Sequence, residues 1–269
     1  MSDQMNSQST DRANPPIGDG PATTGRLRVF NLIVGIVHLA QAAAIFALSN
    51  GFSLPVTASF MTGPPGSALS QRETLFHIRI GPFVGVFLLL AAVDHLLMAA
   101  PGIWPWYDKN LSKGINYARW WEYSVSASIM IVLIAMVTGI SDIGALIAIF
   151  GVNTSMIFFG MVMEIMNRNR DSVNWTPFLF GCFAGIVPWI VIAYQFIGAA
   201  NRSSGPPGFV YGIVISLFVL FNSFAINMVL QYGKRGPWRD YVFGEKTYIL
   251  LSLIAKSLLA WQIFVNTLF

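Results

Sequence analysis

The stretch Ser252-Leu253-Ile254-Ala255-Lys256-Ser257-Leu258-Leu259-Ala260-Trp261 sets an amine near the middle of an apolar run that extends from Tyr241 to Thr267. A run of this length matches the roughly 20 residues that a helix needs to cross a hydrocarbon core of about 30 Å. At ~1.5 Å per residue, Lys256 lies about 20 Å from the chain end, too deep for its side chain to snorkel to water. Even on the lenient insertion scale an ionisable group at that depth costs about 2.5 to 3.5 kcal/mol, so its presence asks for a function.

Six further apolar runs precede this one, at approximately 28–49, 74–100, 116–138, 143–166, 175–199 and 209–232. Of the 269 residues, 55% are hydrophobic and 10% charged, and the mean hydropathy is +0.61. A water-soluble fold of this size cannot hide so much apolar surface in one core, which makes lipid the solvent for most of it. The fold class is therefore all-α, a bundle of seven transmembrane helices in a multi-pass protein of the cell membrane. Pro82 and Pro188 lie within spans and predict kinks. The connection 50–73, with Pro55, Pro64, Pro65 and Gly66, is the long loop and is expected to form a small cap. Residues 1–25 are polar, lack an apolar segment before a cleavage site, and read as a disordered tail ahead of the domain 26–269.

Cations sort unevenly between the two ends of such a bundle. Arg26, Arg28, Lys109, Lys113, Arg168, Arg170, Lys234, Arg235 and Arg239 fall at one end, and mainly Arg72 and Arg202 at the other. The positive-inside rule then makes the N-terminus and its tail cytoplasmic, and the C-terminus and the loop 50–73 extracellular. The net charge of +4 belongs to topology and does not signal a nucleic-acid partner. Cys182 is the single cysteine, which excludes an internal disulfide and a multi-cysteine metal site. No zincin, serine-nucleophile or phosphate-loop motif is present, which argues against an enzyme.

The second charge at matching depth is Glu122, in Arg119-Trp120-Trp121-Glu122-Tyr123-Ser124-Val125-Ser126. If the third span begins near Lys109, Glu122 falls close to its midpoint, as Lys256 does in the seventh. Helical spacing sets Arg119, Glu122, Tyr123 and Ser126 on one face, and Ser252 and Lys256 on another. A desolvated lysine is a nucleophile able to condense with an aldehyde to a Schiff base, with Glu122 as counterion; the bland alternative is a structural ion pair. His38, His95, Asn31 and Gln41 would form a polar network able to accept a proton. Glu164 and Asn167 read as a solvated helix end, with the lining of a cavity as the alternative, His77 as an interface residue, and Trp261 as a packing residue or a ring stacked on a ligand. Trp104, Trp106, Trp175 and Trp238 fit an interfacial belt, and Gly181-x3-Gly185 is a close-approach motif of low specificity.

Taken together, the Ser252 to Phe264 and Arg119 to Ser126 stretches and the Asn31/His38/Gln41 pattern resemble the heliorhodopsins over nearly the whole chain after residue 25. The resemblance implies all-trans retinal on Lys256, with Glu122 as counterion. It implies too that His38 and His95 help take up the Schiff-base proton, with Arg119 in the same network, and that the protein is a homodimer with a slow photocycle suited to signalling a cytoplasmic partner. Ordinary microbial rhodopsins usually carry Asp four residues before the lysine, where this chain has Ser252, leaving Glu122 as the only nearby anion. Outward proton pumps usually place a carboxylate eleven residues after the counterion, where this chain has Leu133. Light sensing without net pumping is thus the leading expectation, light-driven or light-gated ion transport the alternative, and a retinal-free membrane scaffold the third reading.

Overall fold

The computed structural model describes residues 21–168 and 170–267. The expected tail therefore lies outside the described residues as far as residue 20, as does Phe269, while residues 21–25 are already helical.

Helix α1 (Pro21–Leu48) is followed by a hairpin of β1 (Ser53–Ala58) and β2 (Glu73–Arg79), then by α2 (Ile80–Ala99) and a short α3 (Trp104–Leu111). The chain continues through α4 (Tyr117–Val137), α5 (Ile143–Asn167), α6 (Thr176–Ala200), α7 (Gly208–Tyr232), a 3-10 turn (Gly236–Arg239) and α8 (Tyr241–Thr267). Seven of these helices are long and apolar enough to cross a membrane, α3 being the exception.

Their outer faces are apolar. Phe183, Tyr194, Ile147 and Ile215 are among the large side chains exposed on the bundle's flanks, an arrangement that suits lipid and would be unfavourable in water. Helix α4 lies at the centre, with every residue from Ile129 to Met136 apolar and buried. Around it α1, α2 and α8 form one wall and α5 and α6 another.

Two boundaries differ from the sequence expectation. Residues 74–79 belong to β2, paired antiparallel with β1 in the register Ser53↔Arg79, Leu54↔Ile78 and Val56↔Phe76. The cap thus extends to Arg79 and contains His77 as an exposed strand residue. It is anchored where Thr57 N–H donates to Ser141 O at 2.8 Å, on the α4–α5 turn. Pro82 stands in the first turn of α2, where a missing N–H leaves no intrahelical bond unmade, so it starts the helix instead of kinking it. Pro188, in contrast, lies inside α6.

The third span does not extend back to Lys109. Residues 104–111 form the separate α3, and α4 begins at Tyr117, with the Asn116 side chain accepting from Arg119 N–H at 3.1 Å as its N-cap. Because α3 covers that end, the start of α4 is itself enclosed: Ile115 and Asn116 are buried. Glu122 consequently reaches the interior from the second turn of α4, not from its midpoint.

Candidate functional site

Lys256 and Glu122 meet, as two opposite charges within apolar spans are expected to do. The Lys256 Nζ donates to Glu122 Oε1 at 2.7 Å and Oε2 at 2.8 Å, with side-chain exposures of 3% and 6%. Tyr123, one residue along α4, presents its ring 5.0 Å from the same nitrogen, a favourable site for a desolvated cation, and its hydroxyl donates to Tyr248 O at 3.0 Å.

From this pair a cavity of about 440 Å³ opens between α4, α5, α6, α7 and α8. Its walls are mostly apolar and aromatic, including Trp120, Met130, Trp189, Phe224 and Tyr248, and Lys256 contributes the amine. That volume lies within the range of about 300 to 1,000 Å³ typical of small-molecule sites. Ser126 and Ser252 also line it, each with a buried hydroxyl that has no hydrogen-bond partner among the described residues. Gly181 and Gly185 shape one side. A Cβ at Gly185 would meet Met156 Sδ at 2.5 Å, so this motif brings α6 against α5 within the chain and helps form the cavity wall.

Behind the lysine, His38 and His95 stack with ring centroids 5.9 Å apart and planes 4° from parallel. The His95 Nδ1 is 2.8 Å from Asn31 Oδ1, while neither ring nitrogen of His38 has a partner among the described residues. Asp94, on α2, lies within electrostatic reach of both Glu122 and Lys256. Glu122 is therefore not the only carboxyl group nearby, although it is the one hydrogen-bonded to the amine.

A second charged cluster occupies the end of the bundle closed by α3. Arg119 donates to Glu164 of α5 and to Glu245 of α8, all three side chains being at most 4% exposed. Asn116 donates its backbone N–H to Glu164 Oε2 at 2.9 Å and its side-chain amide to Glu245 Oε2 at 2.7 Å. Trp120 Nε1 and the Tyr241 hydroxyl complete the shell of Glu164, at 2.6 and 3.2 Å. Tyr107 of α3 accepts from Asn116 at 3.1 Å, and burial together with the Glu245 carboxylate raises its phenol well above the usual value, keeping it neutral.

The family model described as Heliorhodopsin matches residues 27–268. The chain belongs to the heliorhodopsin family. Among solved structures, a light-driven proton pump, LR (Mac) from Leptosphaeria maculans, superposes with a TM-score of 0.61 at 15% identity, covering 93% of this chain and 96% of the pump. The red light-activated channelrhodopsin Chrimson gives a TM-score of 0.60 at 14% identity, over 94% of this chain and 79% of that one. Likeness at this identity establishes the shared fold and leaves the activities of those two proteins to them. No curated protein matches significantly. As a heliorhodopsin, the chain is a multi-pass membrane protein of the retinal photoreceptor type.

Seen against this heliorhodopsin geometry, Lys256, Glu122, Tyr123, Ser126 and Ser252 come together as the sequence predicts, and Asn31, His38 and His95 form a contiguous group beside them. Three expected members stand elsewhere. Arg119 is committed to Glu164 and Glu245, since two buried carboxylates hold it more strongly than one already neutralised by Lys256 could. Trp261 is 37% exposed and donates to Gln41 Oε1 at 3.1 Å; the two pair on an outer seam between α1 and α8, and neither lines the cavity. Glu164 is 1% exposed, so the solvated helix end expected there is a buried ion site; Asn167 beside it binds Asn174 across the α5–α6 turn. Glu245 was not singled out by sequence reading, because its position near the start of α8 looks like an ordinary polar helix end.

Proposed function

We propose that this heliorhodopsin is a light sensor in which all-trans retinal is joined to Lys256 as a Schiff base, with Glu122 as counterion and with its proton kept inside the protein. The observation that carries this reading is the position of one side chain: Lys256 is ion-paired through Nζ with Glu122 and also lines an aromatic cavity of about 440 Å³. When bound, the group supplies absorption of visible light and a change in polyene shape.

The chain's own residues do the rest. Glu122 holds positive charge at Nζ through two short hydrogen bonds, and the Tyr123 ring adds a quadrupolar contact. Unpartnered hydroxyls of Ser126 and Ser252 offer polar contacts inside an otherwise apolar wall. A proton leaving Nζ has Glu122, Asp94 and the His38/His95 stack within the same buried region, so it can be held internally.

Along α4 the described residues offer no comparable path for vectorial transport. Beyond Ser128, α4 is apolar and buried from Ile129 to Met136, and Leu133, at the position of a pump's donor, is fully buried. Illuminated cells making the protein are expected to show no sustained change in external pH, with or without a protonophore. A sustained light-dependent shift abolished by the protonophore would instead establish proton transport.

Glu122→Gln leaves the buried positive charge facing a neutral amide. The expected result is a strongly altered pigment, with the visible band displaced and partly replaced by near-ultraviolet absorption at neutral pH as the proton leaves the nitrogen. An unchanged spectrum would remove Glu122 from the counterion role.

The excess of Lys and Arg at the α3 end supports placing that end in the cytoplasm. A homodimer and a cytoplasmic partner, both implied by the family resemblance, complete the same proposal.

A further inference from the structure

Trp120 belongs to both polar sites at once. Its indole lines the cavity beside Lys256, and its Nε1–H donates to Glu164 Oε2 at 2.6 Å within the Arg119 cluster. Little freedom is left to the ring on its other sides. The Arg119 guanidinium lies 4.5 Å from its centroid, and Tyr248 meets it edge-on at 6.4 Å.

Gly160 of α5 supplies the fourth constraint. A Cβ at that position would collide with the six-membered part of the indole, so the ring rests against the bare backbone of α5. Gly160 and Glu164 are four residues apart and share one face of α5. One stretch of helix thus supports the ring through Gly160 and holds its N–H through Glu164. Glu164 in turn binds Arg119 of α4, which binds Glu245 of α8.

We propose that Trp120 is the positioning residue that couples the retinal cavity to the buried Arg119–Glu164–Glu245 cluster, so that a change of shape in the cavity alters the hydrogen bonding of Glu164 and the attachment of α5 to α4 and α8. This rests on the retinal reading above. An indole pushed from the cavity side has no free space to enter, because Gly160, Arg119 and Tyr248 surround it. The displacement is therefore taken up by the Trp120–Glu164 hydrogen bond or by α5 itself. Either response changes the environment of a carboxylate that does not touch the amine, in the cluster at the end of the bundle closed by α3. Densely packed interiors respond to such pushes by switching between discrete packings, not by yielding continuously.

The test is a light-minus-dark infrared difference spectrum of the full-length protein reconstituted with all-trans retinal, read in the carboxyl region, with Glu164→Gln identifying the Glu164 contribution. The native pigment is expected to show a light-induced Glu164 signal. Trp120→Phe keeps a ring but loses the N–H donor. It is expected to form a pigment at an altered wavelength, to lose the Glu164 signal, and to change the lifetime of return to the dark state by about tenfold, the scale of one hydrogen bond to a charged group.

A native difference spectrum unaltered by Glu164→Gln overturns the proposal without any Trp120 variant. So does a Glu164 signal and a lifetime that persist unchanged in Trp120→Phe. If that variant forms no pigment, Gly160→Ala displaces the ring by adding a Cβ beneath it, and an unchanged Glu164 signal there is equally contradictory. Native protein that folds but yields no visible pigment rejects the retinal reading itself, whereas native pigment without a Glu164 response rejects only the coupling.

Discussion

Lys256→Ala is expected to abolish the visible absorption that native protein acquires on addition of all-trans retinal. The substitution removes the one amine that lines the cavity, so the cavity keeps its walls and loses its covalent attachment point. It also leaves the Glu122 carboxylate buried without its cation. An unpaired buried charge of this kind costs about 3 to 5 kcal/mol, so a colourless protein could be colourless through misfolding. The double substitution Lys256→Ala with Glu122→Gln removes that charge and is expected to recover thermal stability towards the native value while remaining colourless. A visible band in either variant would place the chromophore elsewhere.

Arg119→Met is expected to be the most destabilising single change in the bundle, lowering stability by about 3 to 5 kcal/mol. Arg119 is the cation shared by Glu164 and Glu245, and without it two carboxylates face each other in a site sealed from solvent. Glu245→Gln provides the contrast. One carboxylate then remains opposite Arg119, and the amide still offers an acceptor oxygen, so the loss is expected to be about 1 kcal/mol, the scale of a typical hydrogen bond. Thermal denaturation in detergent, followed by circular dichroism, measures both. Equal losses for the two variants would show that the cluster is not held by its single cation.

The seven spans are legible because their signal is cumulative: some twenty apolar residues in succession identify a membrane helix whatever their order. The α2 boundary is not, because Leu75, Phe76 and Ile78 continue the apolar run backwards while forming a strand, and periodicity over so few residues does not separate strand from helix. At the site, the residue types were informative where burial is expensive. Lys256 and Glu122 declare themselves through the cost of a charge in hydrocarbon, and their pairing follows even though the depth argument for Glu122 did not survive the break between α3 and α4.

Arg119 shows what one helix cannot reveal about its neighbours. On α4 alone it shares a face with Glu122; only the approach of α5 and α8 brings Glu164 and Glu245 to it. Both carboxylates lie near span ends, where a charge carries no evident penalty, and a tertiary arrangement decides that they are buried. Trp261 illustrates the reverse. An aromatic residue five positions from the lysine suggests a ligand contact, yet five residues on a helix is well past one turn, and the ring emerges on the α1 seam with Gln41.

The central claim is a bond at one nitrogen. Reduction of the native pigment with borohydride in the light, followed by proteolysis and mass spectrometry, fixes the attached group to whichever amine carries it. A retinyl adduct on the peptide containing Lys256, and on no other lysine, is the predicted result. An adduct on Lys246, or native pigment with an unmodified Lys256 after complete reduction, would contradict it.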